Sequence, residues 1–374
     1  MFRTLNLLLL LALPATLLAQ MPDADHYEYT AREWKQIARN ATPDFLRSSE
    51  GRRIADNVLL WQRSSGGWTK NQPVHKPLSD DERQQIAADK SKTGDTTTDN
   101  DATTTELLYL AKMHEATGEA RYREALLRGV DFLLAGQYAN GGWPQFWPEN
   151  RGDYQARITY NDNAMTKTLE LLRDMLDGKT PYGSLSLPEA KRNAMKDAFC
   201  RGIDCVLKTQ VLWDGQPTLW CQQHGEHTLQ ACGARAFELP SLATSESAGI
   251  VEMLMELPDT MLTPEVERAV EGALNTFERL ALKGIRVENF TNDEGKTDRR
   301  VVSDAEAPRI WARFYTLEDL KPFFSDRDGK PRKQLSDIGY ERRNGYGWYN
   351  YAGEKVLKKA AKWRKKIRRL RHSE

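Results

Sequence analysis

The feature that most constrains the fold is a pattern that recurs about every 74 residues. Each copy is an apolar run that ends in a glutamine and leads to a tryptophan. The copies are Gln62 with Trp68, Gln137 with Trp143, and Gln210 with Trp213, and a fainter fourth copy lies at residues 280–284. A repeat of this length fits one helical hairpin plus a long loop. The chain is therefore predicted to stack several similar units.

The segments between these marks have the periodicity of amphipathic helices. Apolar residues recur at a spacing near 3.6, and Asp, Asn, Ser or Thr stands in front of the runs. Helices are predicted over residues 102–117, 119–135, 162–177, 188–209, 245–257 and 264–283. No comparable run alternates with a period of two. The predicted fold class is all-α, an α/α toroid of about three to four repeated helical hairpins. Residues 284–350 are expected to be long loops with room for a small strand element.

The sequence predicts three parts. Residues 1–19 are expected to be a secretory signal peptide, because Arg3 precedes an apolar run from Leu7 to Leu18 that ends at the small residue Ala19. That run is too short to span a bilayer, and no other segment is apolar enough to do so. Residues 20–353 are expected to form the catalytic domain and 354–374 a basic C-terminal tail. We expect a secreted monomer, in the periplasm or the medium.

Charge bears on the choice of partner. A formal net charge of +1 argues against nucleic acid. The segment from Lys355 to Arg371 nevertheless holds ten Lys/Arg and no acid, with apolar residues interleaved at helical spacing. Such a tail can contact an anionic surface or polymer, or it can be a solvated helix that rests its apolar side on the body. The sequence leaves both interpretations open.

Four cysteines, Cys200, Cys205, Cys221 and Cys232, lie within 33 residues. Export permits disulfides, but Cys200 and Cys205 lie five apart on one predicted helix, which is poor geometry for a bridge. The spacing of Cys221 and Cys232 permits a bridge that closes a loop, and equally permits free thiols. The spacings match no zinc template.

Polar clusters stand at the starts of three predicted helices. They are Asp99-Asn100-Asp101, Asn161-Asp162-Asn163 and Ser245-Glu246-Ser247. Each predicted hairpin has a first and a second helix. In a stack of antiparallel hairpins the first helices all start at the same end of the stack, so these clusters should converge there. Each cluster can simply cap its helix. The first two, however, hold more carboxylate and amide oxygen than one cap needs, and oxygen ligands suit a hard cation such as calcium.

Arginines mark the other candidate positions. Arg235 lies in a loop of small residues before a first helix, where it can hold a carboxylate bidentately or pair with Glu238. Arg313 and Arg327 follow in two later motifs. Nothing resembles a serine-nucleophile elbow, a Walker loop or a dinucleotide fingerprint.

Taken in order, these motifs resemble those of pectate lyases in polysaccharide lyase family ten. The likeness runs from about Ala31 to Tyr351. It rests on eight ordered motifs: IADNVL with GGWTKN (54–59, 66–71), TDNDATT (98–104), ITYNDNAM (158–165), WCQQH (220–224), ARAFE (234–238), SES (245–247), WARFY (311–315) and SDRDG (325–329). No single motif is specific, but eight in the same order are.

The resemblance implies an α/α toroid that cleaves polygalacturonate (pectate) with calcium as its cofactor. Matched residue by residue, Asp99 and Asp162 fall on the active-site acids, which are expected to bind calcium, and Arg235 falls on the base that takes the C5 proton. The matched motifs place these further residues among the expected substrate contacts: Lys70, Asn71, Asn100, Asn161, Glu246, Arg313 and Arg327. Either Arg313 or Arg327 can hold the substrate carboxylate. One departure is Asp101, where glycine is expected.

The expected reaction is a β-elimination that gives 4,5-unsaturated oligogalacturonides. Removing the C5 proton builds negative charge on the adjacent carboxylate, which a divalent cation and an arginine stabilise. Arginine holds its proton very tightly. Either Arg235 loses its proton in a site crowded with cations, or it stays charged and hydroxide takes the C5 proton.

Two other functions fit parts of the sequence. An inverting glycoside hydrolase on an α/α toroid would use Asp99 and Asp162 as acid and base, with the two carboxyl groups roughly 6.5–9.5 Å apart. A non-catalytic carbohydrate-binding protein would keep the tryptophans without needing Arg235. The eight motifs favour the lyase.

Overall fold

The computed structural model describes residues 33–149 and 152–372. The signal peptide predicted at residues 1–19 lies outside the described residues. In the described part, no helix combines the length and the apolar character that crossing a membrane requires. The four cysteines are free, and the Cys221 thiol donates to the Cys232 carbonyl oxygen at 3.2 Å.

Helices and short strands alternate along the described chain. The helices are α1 (33–40), α2 (Pro43–Arg47), α3 (Ser49–Trp61), α4 (Asp80–Ala88), α5 (Thr104–Thr117), α6 (Ala120–Ala135), α7 (Ala164–Leu176), α8 (Glu189–Thr209), α9 (Thr244–Met255), α10 (Pro264–Leu280), α11 (Tyr340–Asn344) and α12 (Ala352–Arg371). The strands are β1 (Ile158–Thr159), β2 (Leu212–Trp213), β3 (Gln216–Pro217), β4 (Gln223–His224), β5 (Ala231–Cys232), β6 (Leu242–Ala243), β7 (Ile285–Thr291), β8 (Thr297–Ser303), β9 (Trp311–Ala312), β10 (Phe314–Tyr315), β11 (Phe324–Ser325), β12 (Pro331–Arg332) and β13 (Tyr349–Asn350).

Consecutive helices pair as the repeat predicts. Helix α5 packs on α6, α7 on α8, and α9 on α10, so the six predicted helices are confirmed to within a few residues at each end. The first members α2, α5, α7 and α9 also contact one another in series, and so do the second members α3, α6, α8 and α10. The helices therefore form two layers, with the core between them.

The repeated glutamines join neighbouring units. Each donates from Nε2 to one carbonyl in its own loop and to another in the next second helix. The acceptors are Gly66 and Ala125 for Gln62, Gly141 and Ala198 for Gln137, and Thr218 and Ala269 for Gln210, all at 2.8–3.0 Å. Carbonyls that are buried at a helix junction need such partners, which explains why the same side chain recurs.

The repeated tryptophans are core residues. Each buried indole donates to a carbonyl of the second helix of its own unit, which is α3, α6, α8 or α10. Trp68 donates to Val58, Trp143 to Leu133, Trp220 to Val206 and Trp311 to Phe277. The third copy of the pattern is therefore completed by Trp220. The prediction of Trp213 was wrong because a small hairpin, β2 with β3, is inserted after Gln210. These rings pack in the core and are not sugar-stacking surfaces.

The prediction of an all-α toroid is wrong. Helices hold about 52% and strands about 13% of the described residues, and the strands form several small sheets. One sheet has three strands in the order β1-β4-β5, and five have two strands, of which β7 with β8 is the longest. Residues 284–350, expected to be long loops with room for a small strand element, contain the strands β7 to β13 and the short helix α11. Most of these strands are only two residues long, so no period of two could appear in the sequence.

The basic segment is the helix α12, which packs on α9 and α10. Its apolar residues Val356, Trp363 and Ile367 are buried in the main hydrophobic core. The described part of the tail is thus a terminal helix that rests its apolar side on the body, with its charges turned outward.

Candidate active site

Two turns of the same left-handed shape build the centre of the site. The turns Asp99–Asp101 and Asn161–Asn163 precede α5 and α7, and they contact each other. The middle residues Asn100 and Asp162 both have φ 53°, and the next residues Asp101 and Asn163 have φ 65° and 60°. Asn and Asp are the side-chain-bearing residues that tolerate this region best. The composition of both clusters is therefore required by the backbone.

The helix-capping interpretation does not account for these clusters. The N-cap of α7 is Asn163 and that of α5 is Thr103, and neither side chain makes a capping hydrogen bond. Asp99 instead accepts from the Lys70 ammonium at 2.5 Å, while its other oxygen, Oδ1, is buried without a hydrogen-bond partner. A buried acceptor that lacks a partner is uncommon in native proteins and is a natural place for a cation.

Asp162 faces Asp99 across the two turns. Burial, followed by the negative charges of Asp99 and Glu246, raises the pKa of Asp162 to about 6. Two carboxyl groups this close repel each other when both are ionised. The structure thus brings the two predicted metal ligands together in a site with more negative charge than its neighbours balance.

Asp101, the departure from the family pattern, belongs to a different cluster. Its carboxylate forms ion pairs with Lys167, with Lys35 at 3.0 Å and with Arg39 at 3.7 Å. Although burial acts in the opposite direction, the ammonium groups of Lys167 and Lys35 lower the pKa of Asp101. These cations neutralise the extra carboxylate.

Arg235 forms a two-pronged ion pair with Glu238. Its Nε and Nη2 donate to the two carboxylate oxygens at 2.8 and 2.5 Å. Tyr346 donates its hydroxyl to the same carboxylate at 2.8 Å, and the Phe237 ring lies 4.7 Å from the guanidinium carbon. The hydrogen bond to Glu238 raises the pKa of Arg235 above its ordinary value, and the charge of Asp162 acts in the same direction. Arg235 is thus protonated in this arrangement.

A buried network joins Arg313 to the second turn. The Nη2 of Arg313 donates to Glu246 at 2.6 Å. The amide of Gln222 donates to Glu246 at 3.1 Å and to Asn161 at 2.9 Å. Asn161 in turn donates to Asp162 at 3.0 Å. This chain of contacts fixes the start of α9 against the turn that carries Asp162.

The remaining predicted residues lie around this centre. Asn100 donates from its amide to Asn71 at 3.2 Å. Arg327 is exposed on a loop whose Gly329 lies beside the Arg235 loop, and it pairs with Glu341 at 3.1 Å. Glu341 raises the pKa of Arg327, and the positive charge of Arg235 acts in the opposite direction. The sequence thus nominated residues that the fold brings to one region, with Arg313 inside it and Arg327 at its edge.

Two residues of the candidate site, Tyr346 and Gln222, were not predicted from the sequence. Tyr346 lies between the arginine side chains, 4.8 Å from the Arg313 guanidinium carbon and 5.8 Å from that of Arg235. It belongs to the irregular segment after α11 and carries no sequence signal of its own. Gln222 bridges Asn161 and Glu246, and its place within the WCQQH motif was the signal that could have identified it.

The donor set suits a hard cation only in part. Across the described ranges, no group of three or more His, Cys, Asp or Glu side chains is placed to hold a metal ion. Asp99 and Asp162 supply two carboxylates, one of them with an oxygen that lacks a partner. Calcium takes six to eight oxygen ligands, many of them water or neutral oxygens. The pair therefore fits a calcium site that substrate and water oxygens complete.

Residues 62–357 match the family described as pectic acid lyase. No curated protein sequence matches the chain. Among solved structures, the chain is similar to a mutant of a family 10 polysaccharide lyase from Cellvibrio cellulosa in complex with trigalacturonic acid. The identity is 32% and the TM-score 0.74, over 92% of this chain and 99% of that chain.

A second structure of the family 10 polysaccharide lyase from Cellvibrio cellulosa gives a similar result. The identity is 33% and the TM-score 0.73, over 89% of this chain and 95% of that chain. The family match spans most of the chain and includes the two turns and all three arginines discussed above. This protein is therefore a lyase that belongs to the pectic acid lyase family, within polysaccharide lyase family 10.

Proposed function

We propose that this lyase cleaves polygalacturonate by calcium-assisted β-elimination and releases 4,5-unsaturated oligogalacturonides. The observation that carries the proposal is the pair of the buried Asp99 and the half-buried Asp162, which lies beside the charges of Arg235 and Arg313. The similar lyase from Cellvibrio cellulosa binds trigalacturonic acid, which supports an oligogalacturonate as substrate. Secretion through a signal peptide at residues 1–19, and a monomeric state, stay predictions.

Asp99 and Asp162 would hold the calcium. A bound divalent cation would polarise the substrate carboxylate and make the neighbouring C5 proton more acidic. It would also lower the pKa of Asp162, since an opposite charge favours the ionised form. Lys70 already contacts Asp99, and in the complex its ammonium would be free to pair with the substrate.

Arg235 would take the C5 proton. The electron pair of the C5–H bond becomes the C4–C5 double bond, the bond from C4 to the bridging oxygen breaks, and that oxygen gains a proton from solvent. This requires neutral Arg235, whereas Glu238 favours the charged form. Substrate binding and alkaline pH would therefore have to break the Arg235–Glu238 ion pair. If Arg235 stays charged, it stabilises the developing charge while hydroxide takes the proton.

We assign the contact with the substrate carboxylate to Arg327. Its partner Glu341 is exposed, and exposed ion pairs contribute only about 0–1 kcal/mol. Arg313 is paired with the buried Glu246, and separating a buried pair costs about 3–5 kcal/mol. Arg327 can therefore change partner at low cost, while Arg313 fixes the position of Glu246.

A glycoside hydrolase is the weaker candidate. An inverting hydrolase needs its two carboxyl groups roughly 6.5–9.5 Å apart to leave room for a water molecule. Asp99 raises the pKa of Asp162, which indicates that the two carboxyl groups lie close together, and a close pair suits a shared cation better than a separated acid and base.

The test is turnover of polygalacturonate, followed by the ultraviolet absorbance of the conjugated 4,5-alkene. We expect absorbance to rise with calcium, to stop with EDTA and to resume when calcium is restored. A rise in reducing ends without this absorbance would identify a hydrolase and refute the proposal. Full activity after exhaustive chelation would remove the calcium role alone.

A further inference from the structure

A groove of about 730 Å³ lies between the end of α9 and the outer part of α12. Met255 and Trp363 contribute apolar surface to it, and basic residues of α12 surround them together with two acids of α9 and its end, Glu252 and Glu256, which pair with Lys359. Glu246 of the candidate active site is in the first turn of α9, whereas Met255 is its last residue. Nine residues of helix correspond to about 14 Å. The groove is therefore separate from the active site.

The basic residues of α12 fall into two sets. One set is held by acids of the body: Lys355 and Lys359 pair with Glu252, Arg364 with Glu271 and Lys366 with Asp259. Lys358 pairs with Glu354 and Arg371 with Glu267. The other set, Lys362, Lys365, Arg368 and Arg369, is exposed, and within residues 33–149 and 152–372 these side chains have no ion-pair partner. We call the three members of this set that line the groove, Lys362, Lys365 and Arg369, the basic stripe.

The basic stripe has the geometry of a linear binding surface. Its members are three and four residues apart, so they lie on one face of α12 and span about 10 Å. A polyuronate chain carries one carboxylate on every sugar, so it presents negative charges at regular intervals. Beside the stripe, the indole Nε1 of Trp363 is buried without a hydrogen-bond partner among the described residues. A ligand hydroxyl or carboxylate would supply the acceptor.

A membrane surface fits this helix less well. A basic amphipathic helix binds lipid by inserting its apolar face between the headgroups. In α12 that face is already buried, since Val356, Trp363 and Ile367 lie in the core against α9 and α10. Apart from Ala361, the fully exposed residues of α12 are charged, and they suit a soluble polyanion.

We propose that the groove between α9 and α12, with the basic stripe Lys362, Lys365 and Arg369, is a second binding site for polygalacturonate that anchors long chains away from the active site. The proposal rests on the proposed function for the identity of the polymer. The family match ends at residue 357, so the stripe lies beyond the matched segment. An anchor of this kind raises the local concentration of chain at the active site.

The test compares a stripe variant with a charge-matched control in the full-length protein. The stripe variant is Lys362→Glu, Lys365→Glu and Arg369→Glu. The control is Lys196→Glu, Lys208→Glu and Lys283→Glu, three exposed lysines elsewhere on the surface. Affinity is measured by retardation in native gels that contain long polygalacturonate and EDTA, so that calcium-dependent turnover does not consume the polymer. Thermal unfolding establishes that both variants fold.

We expect the stripe variant to bind the polymer about tenfold more weakly than the control, on the scale of three screened surface contacts. The dependence of its affinity on salt should also be shallower, because fewer counterions are released. The wild type, the stripe variant and the control should turn over trigalacturonate equally fast. The variant Trp363→Phe should lose affinity a few-fold with an unchanged salt dependence.

Equal retardation of the stripe variant and the control would overturn the proposal. An unaltered affinity of Trp363→Phe would also overturn it, because binding of the polymer would then depend on surface charge alone and not on the groove. Stripe-dependent binding to phosphatidylserine vesicles without retardation by polygalacturonate would assign the surface to lipid and also overturn it. Failure of the proposed function is a separate result: trigalacturonate would not be cleaved, while stripe-dependent retardation would persist.

Discussion

Replacing Asp162 by Asn should stabilise the calcium-free protein while it abolishes activity. Burial and the charges of Asp99 and Glu246 raise the pKa of Asp162 to about 6. A carboxyl whose folded pKa exceeds its unfolded value makes the folded state bind the extra proton, so stability is lost as pH rises from about 4 to about 6. An amide does not ionise and avoids this loss.

The size of the effect follows from the shift. The pKa rises from 3.8 to about 6, and at about 1.4 kcal/mol per unit this corresponds to about 3 kcal/mol above pH 7. Part of the repulsion is shared with Asp99, so we expect Asp162→Asn to add about 2 kcal/mol at about pH 8 and little near pH 4. The backbone accepts the change, because Asn100 has the same φ of 53° in the other turn.

Asp101→Asn is the matched control, and its effect should have the opposite sign. Asp101 also has a left-handed backbone, and Asn163 holds the equivalent position in the other turn. Lys167 and Lys35 lower the pKa of Asp101, so its ionised form stabilises the protein above about pH 4 and this stabilisation is lost at lower pH. The amide should cost about 1–3 kcal/mol at about pH 8, because it leaves two partly buried lysines unpaired.

Urea unfolding in EDTA at several pH values measures both variants, and repeating it with calcium gives a second readout. Calcium should stabilise the wild type, because it binds the folded state, and should stabilise Asp162→Asn much less. The reasoning would be refuted if Asp162→Asn were no more stable than the wild type at about pH 8 in EDTA. It would equally be refuted if both substitutions shifted stability in the same direction.

Three further outcomes follow from the structure. If Arg235 takes the C5 proton, Arg235→Lys should lower kcat by several orders of magnitude and leave trigalacturonate binding nearly unchanged; near-normal turnover of this variant would leave only the charge role. Gln62→Leu should lower the free energy of unfolding by about 1–3 kcal/mol in urea, because it leaves the buried Gly66 carbonyl unpaired and removes the second hydrogen bond of the Ala125 carbonyl; an unchanged value would mean that water replaces the amide. Truncation after Tyr351 should lower Tm sharply, since α12 buries Val356, Trp363 and Ile367; an unchanged Tm would show that α12 is not part of the core.

The helices could be predicted because their signals are local. Apolar spacing, polar residues at the starts and the recurring glutamine and tryptophan all lie within a few turns of the structure they specify. Most strands could not be predicted, because they are only two residues long, and β1 with β4, β6 with β10 and β9 with β13 pair between distant segments. Strand β10 pairs with β6 so that Phe314 lies opposite Ala243, and nothing in either two-residue stretch indicates that partner.

The same distinction applies to the candidate site. The motifs identified Asp99, Asp162 and Arg235, and the family resemblance derived from them is confirmed by the match over residues 62–357. The resemblance set Asp101 apart as a departure from the family pattern, but the sequence did not show which charges surround Asp101 and Asp162. Their different environments depend on Lys35 and Lys167, which come from other parts of the chain.

By itself, then, the sequence determined the helical repeat, the family and the residue types at the site, because each depends on neighbours along the chain. Only the tertiary structure decided which charges meet. It paired Arg235 with Glu238 and brought Tyr346, 108 residues away from Glu238, to the same carboxylate. It also exposed the basic stripe of α12 to solvent and buried the apolar side of that helix in the core. The physical reason is that the pKa of a buried group depends on its burial and on the charges within a few ångströms, and these are set by how distant segments pack.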